Sequence, residues 1–539
     1  MYFLTTLTLF GSCFTATNAV KPLVDLGYSK YQGLALQNGV TQWLGMRYAA
    51  PPTAHLRFAR PRDPPFVEEI QQADQPGKVC LGTDTAPGSD LWEAQSEDCL
   101  FINLSAPTNA TAESRLPVYV YLSGGGFVRN SDAGNNGTGL VVAGDHSLIV
   151  VNFGYRVGAF GFLTDGDELG PNNGLWDQVR ALEWVQTHIA SFGGDPGHVV
   201  LGGASAGAGA VAYHLTRDGG RDHGLFAGAA AQSVSGSNLE TVRGSRYLYE
   251  TFAIRAGCAV ADSARCLRAA STEQLQLANF NVQPMPGAQG PPLYGWNPVI
   301  DGDFIVEPPD SALEKGHFIK VPVLTGDDTN GGSTVSPRTT TTFPDMNTFM
   351  RNQFPWLSLA EMSTIWDLYD NPNRTCPNTG CRWRQLSDAY GQMRYTCPSL
   401  RINELYAAKG SQQQKTWAYR WNVEDPAQMA DGLGVPHVVE LSAIWGPEYT
   451  GGRAPSSYYH PAGINAHAVA VAQGYWTSFI RTLDPNTYRV PGSAEWKPFS
   501  LADKRRLLFN TAGRTEMETL GLNLTRACAF FAKIRQTHT

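Results

Sequence analysis

The sequence predicts an α/β fold, with a central, mostly parallel sheet flanked by helices, and a single elaborated domain over residues 20–539. Three observations lead there. Strand-like and helix-like segments alternate along the chain, as parallel strands joined by covering helices require. The 539 residues are 42% hydrophobic, enough to bury a large core, and large α/β folds often run this long as one unit. The window Phe192–Gly207 (FGGDPGHVVLGGASAG) runs from a short β-branched strand through a glycine-flanked serine into a helical pattern.

At the N-terminus, Phe3 to Phe14 is apolar and Thr17-Asn18-Ala19 offers the small residues that a signal peptidase reads. Met1–Ala19 is therefore expected to be a secretory signal. Leu116–Leu122 (LPVYVYL) and Ser147–Asn152 (SLIVVN) are apolar runs of strand length and predict buried strands. Val179–Ile189 places Ala181, Leu182, Val185 and Ile189 at helical spacing. Val199-Val200-Leu201 is the strand before the serine, and the helix after it continues through Val211 and His214. Gln283–Pro292, rich in Pro, Gly and Gln, and Thr329–Thr342, rich in Thr, Ser and Gly, predict surface loops. No later segment has the length and apolarity of a membrane span, and the C-terminus lacks the hydrophobic tail of a lipid anchor.

The formal charge of −7 is mild and no Lys/Arg run stands out, which argues against a nucleic-acid partner. Without the signal and its Cys13, eight cysteines remain: Cys80, Cys99, Cys258, Cys266, Cys376, Cys381, Cys397 and Cys528. An even set in an exported chain predicts four disulfides, with connectivity left open by spacing alone. A zinc site is disfavoured, because the chain has no C-x-x-C pair with a histidine nearby. Sequons start at Asn103, Asn109, Asn136, Asn373 and Asn523. Asn103 falls in an apolar strand pattern, so glycans are expected on the other four.

The chemistry centres on Gly203-Ala204-Ser205-Ala206-Gly207. A serine on a strand-to-helix turn this tight needs small neighbours and presents its hydroxyl above the sheet. The backbone N–H of Ala206, at a helix N-terminus, can stabilise an oxyanion there. Ser123-Gly124-Gly125-Gly126-Phe127 follows the LPVYVYL strand, and its glycines let backbone N–H groups approach a ligand unobstructed. That loop can supply the other half of an oxyanion hole. A general base follows the nucleophile in this chain order, and His437 in Gly434-Val435-Pro436-His437 is the candidate among eleven histidines.

Over nearly its whole mature length the chain resembles the type-B carboxylesterases, which include cholinesterases and secreted fungal lipases. The similarity is carried by Phe192–Gly207, by Glu97-Asp98-Cys99-Leu100-Phe101-Ile102-Asn103-Leu104, and by Asn173-Gly174-Leu175, Asp177-Gln178, Ala181-Leu182 and Trp184-Val185. Pro298-Val299-Ile300-Asp301-Gly302, Gly434–His437 and Ile444-Trp445-Gly446 extend it. The resemblance implies an α/β-hydrolase fold, Ser205 as nucleophile, His437 as base, and Gly125, Gly126 and Ala206 as oxyanion donors. It also implies the pairs Cys80–Cys99, Cys258–Cys266 and Cys397–Cys528, leaving Cys376 with Cys381. The substrate implied is a small-molecule ester, cleaved through an acyl-enzyme with no metal or organic cofactor.

One departure stands out. Where the family carries its catalytic glutamate before a glycine, this chain reads Asp327-Asp328-Thr329-Asn330-Gly331-Gly332, with Gly331 at the glutamate position. Ala204 and Ser123 also depart from the residues common in relatives. Three readings of Gly331 compete. Asp327 or Asp328 could reach His437, with Asp328 favoured by proximity. Ser205 and His437 could act as a dyad in slow or specialised acyl chemistry, such as acyl transfer, cyclisation or elimination in small-molecule biosynthesis. Hydrolysis could be lost, leaving a binding protein. Retention of Ser205, His437 and the glycine loop argues against loss. Trp296 and Trp445 are candidates to line the site or to pack.

Overall fold

The computed structural model describes residues 21–538 apart from Asp132, Ser237, 372–378 and 411–414. The expected signal Met1–Ala19 lies outside the described residues. An 11-stranded sheet dominates the molecule. Its strands are β1 (Leu34–Ala35), β2 (Val40–Arg47), β3 (Phe101–Pro107), β4 (Leu116–Leu122), β5 (Ile149–Phe153) and β6 (Gly194–Ala204). They continue with β7 (Gly228–Gln232), β8 (Val323–Asp328), β9 (Thr416–Asn422), β10 (Arg505–Asn510) and β11 (Thr515–Thr519). The order across the sheet is β11-β10-β9-β8-β7-β6-β4-β5-β3-β2-β1. The centre from β5 through β4 and β6 to β10 is parallel, and both edges are antiparallel.

Both faces of the central strands are buried, which is why their sequences are apolar throughout rather than alternating. On β4, Val118, Val120 and Leu122 join one core, while Tyr119 and Tyr121 join the other. The first core is covered by α1 (Asn173–His188) and α2 (Ala206–Gly220), and the second by α5 (Ala466–Thr482). The helices α3 (Trp383–Gly391), α4 (Cys397–Lys409) and α6 (Leu522–His538) form a further cluster beyond β8 and β9. Trp296 meets Phe252 and Trp445 meets Tyr121 edge to face; both tryptophans are buried packing residues.

The expected strand Leu116–Leu122 forms as predicted, and the Ser147–Asn152 strand starts two residues later. The helix expected over Val179–Ile189 begins earlier, at Asn173. Its first turns carry polar side chains that are buried because they have partners. Asp177, for example, accepts from both Nε and Nη2 of buried Arg156 (2.8 and 2.7 Å).

Disulfides join Cys80–Cys99, Cys258–Cys266 and Cys397–Cys528. Of the fourth expected bridge, Cys376 lies outside the described residues; Cys381 is exposed, has no disulfide partner among the described residues, and its thiol donates to the Thr341 carbonyl (3.3 Å). Asn373 lies outside them too, while Asn109 and Asn523 are exposed. Asn136 is partly buried, and its Oδ1 accepts from Gln42 Nε2 and the Thr138 N–H. Among the described residues no helix is long and apolar enough to cross a membrane.

Candidate active site

Three strand ends and one loop converge. β6 ends at Ala204 and the chain turns at Ser205 into α2. Ser205 adopts φ 56° and ψ −120°, a conformation rare for a residue with a side chain and tolerated where function holds it. Both flanking glycines are required by contact. A Cβ on Gly203 would lie 2.6 Å from the Gly207 carbonyl, and one on Gly207 would run into the Leu122 carbonyl at the end of β4. Ala206 opens α2, so its N–H is one of the groups a helix start leaves free for an anion.

The glycine loop leaves β4 with positive φ at Gly125 (117°), Gly126 (67°) and Phe127 (61°). A Cβ at Gly126 would collide with the Tyr294 ring, so Tyr294 presses directly on this loop. The start of the loop stands beside the elbow, where a Cβ on Gly207 would also lie 3.0 Å from the Ser123 carbonyl.

The base candidate is delivered by a loop docked on β8. Asn330 donates its backbone N–H to the Val435 carbonyl (2.9 Å), and its Oδ1 accepts the Val435 N–H (3.1 Å). Gly434 fits only because a Cβ there would strike the Asn330 side chain. Beyond His437, Val438 takes φ 57°, a strained choice for a β-branched residue, and its N–H donates to Asp328 Oδ2 (2.7 Å).

Asp328 thus spends Oδ2 on the loop, while its Oδ1 has no hydrogen-bond partner among the described residues. Its Oδ2 also accepts the Ser233 hydroxyl (3.2 Å), one residue after Gln232, whose carbonyl accepts the Ser205 N–H (2.9 Å). Burial, and then the charge of adjacent Glu440, push the Asp328 carboxyl well above the usual carboxylate range. Glu440 is raised as well, chiefly by burial, and its Oε1 accepts the Tyr419 hydroxyl (2.9 Å). Asp327 points elsewhere, accepting from Thr396 Oγ1 (2.7 Å) and pairing with Arg506 (3.4 Å).

Neither ring nitrogen of His437 has a hydrogen-bond partner among the described residues, and both are shielded from solvent. The imidazole stacks on Tyr395 with ring centroids 3.8 Å apart and planes inclined at 22°. Burial, with the nearby charge of Arg394, lowers its pKa to about 3, so the ring is neutral at ordinary pH. Tyr395 also faces Gly331: a Cβ at that position would sit 3.5 Å from Tyr395 Cδ2. An aromatic ring thus stands between His437 and Gly331.

Arg394 and Tyr395 come from a π-helical turn, Gln392–Thr396, between α3 and α4. Such turns, which insert one residue per turn of helix, are frequent at functional sites. Together with Tyr294, Ser233 and Glu440, these two residues are absent from the sequence expectations. Only Glu440 carried a usable signal, as a carboxylate three residues beyond the candidate base.

Residues 21–527 match the sequence pattern described as the Carboxylesterase family. The chain belongs to this family. Secreted lipase 4 of Gibberella zeae is 29% identical over 511 residues, covering 89% of this chain and 87% of that protein. Pyrethroid hydrolase Ces2a of Mus musculus is 34% identical over 307 residues, 54% of this chain and 52% of the relative. The crystal structure of Aspergillus niger EstA superposes with a TM-score of 0.90 at 38% identity, covering 96% of this chain and 99% of that one. The architecture is the α/β-hydrolase fold, and this carboxylesterase is a carboxylic ester hydrolase.

Proposed function

We propose that the protein is a secreted serine esterase that works through an acyl-enzyme with a Ser205–His437 dyad and no carboxylate touching the imidazole. The observation behind this reading is the neutral, shielded His437 ring packed on Tyr395, with neither ring nitrogen meeting a carboxylate among the described residues. Neutral His437 takes the proton as Ser205 attacks the ester carbonyl. The N–H groups of Gly125, Gly126 and Ala206 hold the oxyanion. His437 then protonates the departing alcohol, and water repeats the cycle on the acyl-enzyme. Asp328 acts on the base indirectly, holding Val438 in its strained conformation and so fixing where His437 points.

A base this weakly basic has little driving force for proton abstraction, and losing a triad carboxylate costs roughly 10⁴ in turnover in the serine-protease case. Slow hydrolysis leaves time for a second acceptor, so acyl transfer is the second reading. Export is supported by the three disulfides, by the apolar Met1–Ala19 segment and by the similarity to a secreted fungal lipase. Asn109 and Asn523, both exposed, are the best-placed glycan acceptors.

The test is p-nitrophenyl butyrate hydrolysis by the secreted protein beside Ser205→Ala and Asp328→Asn. Wild type is expected to turn over slowly, Ser205→Ala to fall to background, and Asp328→Asn to retain measurable activity. Equal background rates in wild type and Ser205→Ala would sink the esterase reading. Complete loss in a folded Asp328→Asn would instead make Asp328 the acid. Adding a competing alcohol and identifying the products separates hydrolysis from transfer.

A further inference from the structure

Close to this site lies a buried cation with two unmatched donors. Arg394 is 4% exposed, and its guanidinium spends one group, Nη1, on the Gly236 carbonyl (2.9 Å). Its Nε and Nη2 have no hydrogen-bond partner among the described residues, and no carboxylate there forms an ion pair with it. Its surroundings are aromatic: the Cζ stands 5.0 Å from the Tyr294 ring centroid, with Tyr213, Tyr390 and Tyr395 close by. A second, half-buried arginine, Arg535, adds like charge, but it is already paired with Asp310 (3.6 Å) and donates to the Met393 carbonyl. Leaving two charged donors of one side chain buried and unsatisfied is costly, and such a group calls for an explanation.

Its position ties it to the catalytic apparatus from three sides. Tyr294, beneath it, presses on Gly126 of the glycine loop. Gly236, which it grips, follows Ser235, whose N–H donates to the Ser205 carbonyl (3.2 Å). Tyr395, the next residue along the π-helical turn, stacks on His437. The Nε–Nη2 edge of a guanidinium is the fork that accepts both oxygens of one carboxylate.

We infer that Arg394 is a specificity residue that binds a carboxylate carried by the substrate, so that the preferred substrates are anionic esters such as half-esters of dicarboxylic acids. This rests on the esterase reading for its turnover assay, though not for binding. A neutral ester leaves the buried fork unsatisfied, whereas a carboxylate-bearing ester satisfies two donors at once. A bound carboxylate would also offset the positive potential that Arg394 imposes on His437.

The experiment compares mono-p-nitrophenyl adipate with p-nitrophenyl hexanoate, an uncharged counterpart of similar length, on wild type, Arg394→Met and Arg394→Lys. In parallel, calorimetry measures adipate binding to Ser205→Ala and to that variant also carrying Arg394→Met. Wild type is expected to favour the half-ester by about tenfold or more in kcat/KM, mainly through KM. Arg394→Met should abolish that preference and Arg394→Lys should restore part of it, a pattern that loss of folding would not produce. Adipate should bind Ser205→Ala and not the double variant. A substrate ratio unchanged by Arg394→Met, or equal adipate binding in both proteins, overturns the inference while leaving the esterase reading intact. If neither ester is hydrolysed and adipate still binds through Arg394, the carboxylate site stands and the esterase reading fails.

Discussion

An imidazole serves as a base only while neutral, and it serves well only if something stabilises its protonated form. In the proposed dyad, burial keeps the His437 ring neutral and meets the first condition, while the Tyr395 ring stacked on it supplies no charge for the second. The Gly331 position itself is not closed to a side chain: its φ is ordinary and the nearest atoms to a built Cβ are Tyr395 Cδ2 at 3.5 Å and Asp328 O at 3.8 Å. A glutamate there would meet the Tyr395 ring one atom further out. Gly331→Glu alone is therefore expected to change kcat on p-nitrophenyl butyrate by less than about tenfold. Combined with Tyr395→Ala it should raise kcat by about 10² or more, toward the roughly 10⁴ that a triad carboxylate is worth. Steady-state kinetics on the two variants decides this; a full gain from Gly331→Glu alone would show that Tyr395 does not obstruct the acid. At this scale the sequence was legible where chemistry needs a fixed residue type in a fixed local shape, as at Ser205 and the glycines around it. The partners of Asp328 were not legible, because adjacency along the chain says nothing about which way a strand-end carboxylate faces; its Oδ2 accepts the Val438 N–H.

The π-helical turn matters as an element because it delivers Arg394 and Tyr395 together, and the disulfide Cys397–Cys528 clamps its end to α6. That bridge spans 131 residues of chain, whereas Cys258–Cys266 spans 8. In the chain-entropy view a longer loop gives more stabilisation, and loss of a native bridge costs about 2–5 kcal/mol. Cys528→Ser should lower the thermal midpoint more than Cys266→Ser, and only the former should also slow ester turnover below the midpoint. A scanning-calorimetry and activity comparison checks both; equal midpoints, with activity unaffected, would detach the turn from the clamp. The two bridges were implied by the family resemblance, but the π-helical turn was not readable beforehand. Met393, Arg394 and Tyr395 sit in a run that looks like ordinary helix, and one extra residue per turn is a backbone event without a side-chain signature. Central strands were readable because burial on both faces leaves long apolar runs. The start of α1 was not, because Asp177 is buried by an ion pair formed with distant Arg156.

For the whole molecule, the buried Asp328–Glu440 pair sets a pH dependence of stability. Both carboxyls are raised in the folded state, first by burial and then, for Asp328, by Glu440 itself. Groups raised on folding bind more protons in the native than in the unfolded chain, so stability falls as pH rises from the unfolded carboxyl value, about 4, through the folded one. Glu518 works in the opposite sense: Arg420 and Arg506 outweigh its burial and lower it, so its contribution is lost only in more acidic solution. Asp328→Asn removes one member of the raised pair and keeps an oxygen to accept the Val438 N–H. The variant should therefore unfold at higher temperature or urea concentration than wild type near pH 7, with the difference closing toward pH 4. Each unit by which the native carboxyl is raised corresponds to about 1.4 kcal/mol. Urea melts of both proteins across this range test it. A variant less stable than wild type at pH 7 and equal at pH 4 would mean that Asp328 is charged in the native protein and paired with a cation. The family glutamate would then have been replaced in function as well as in position.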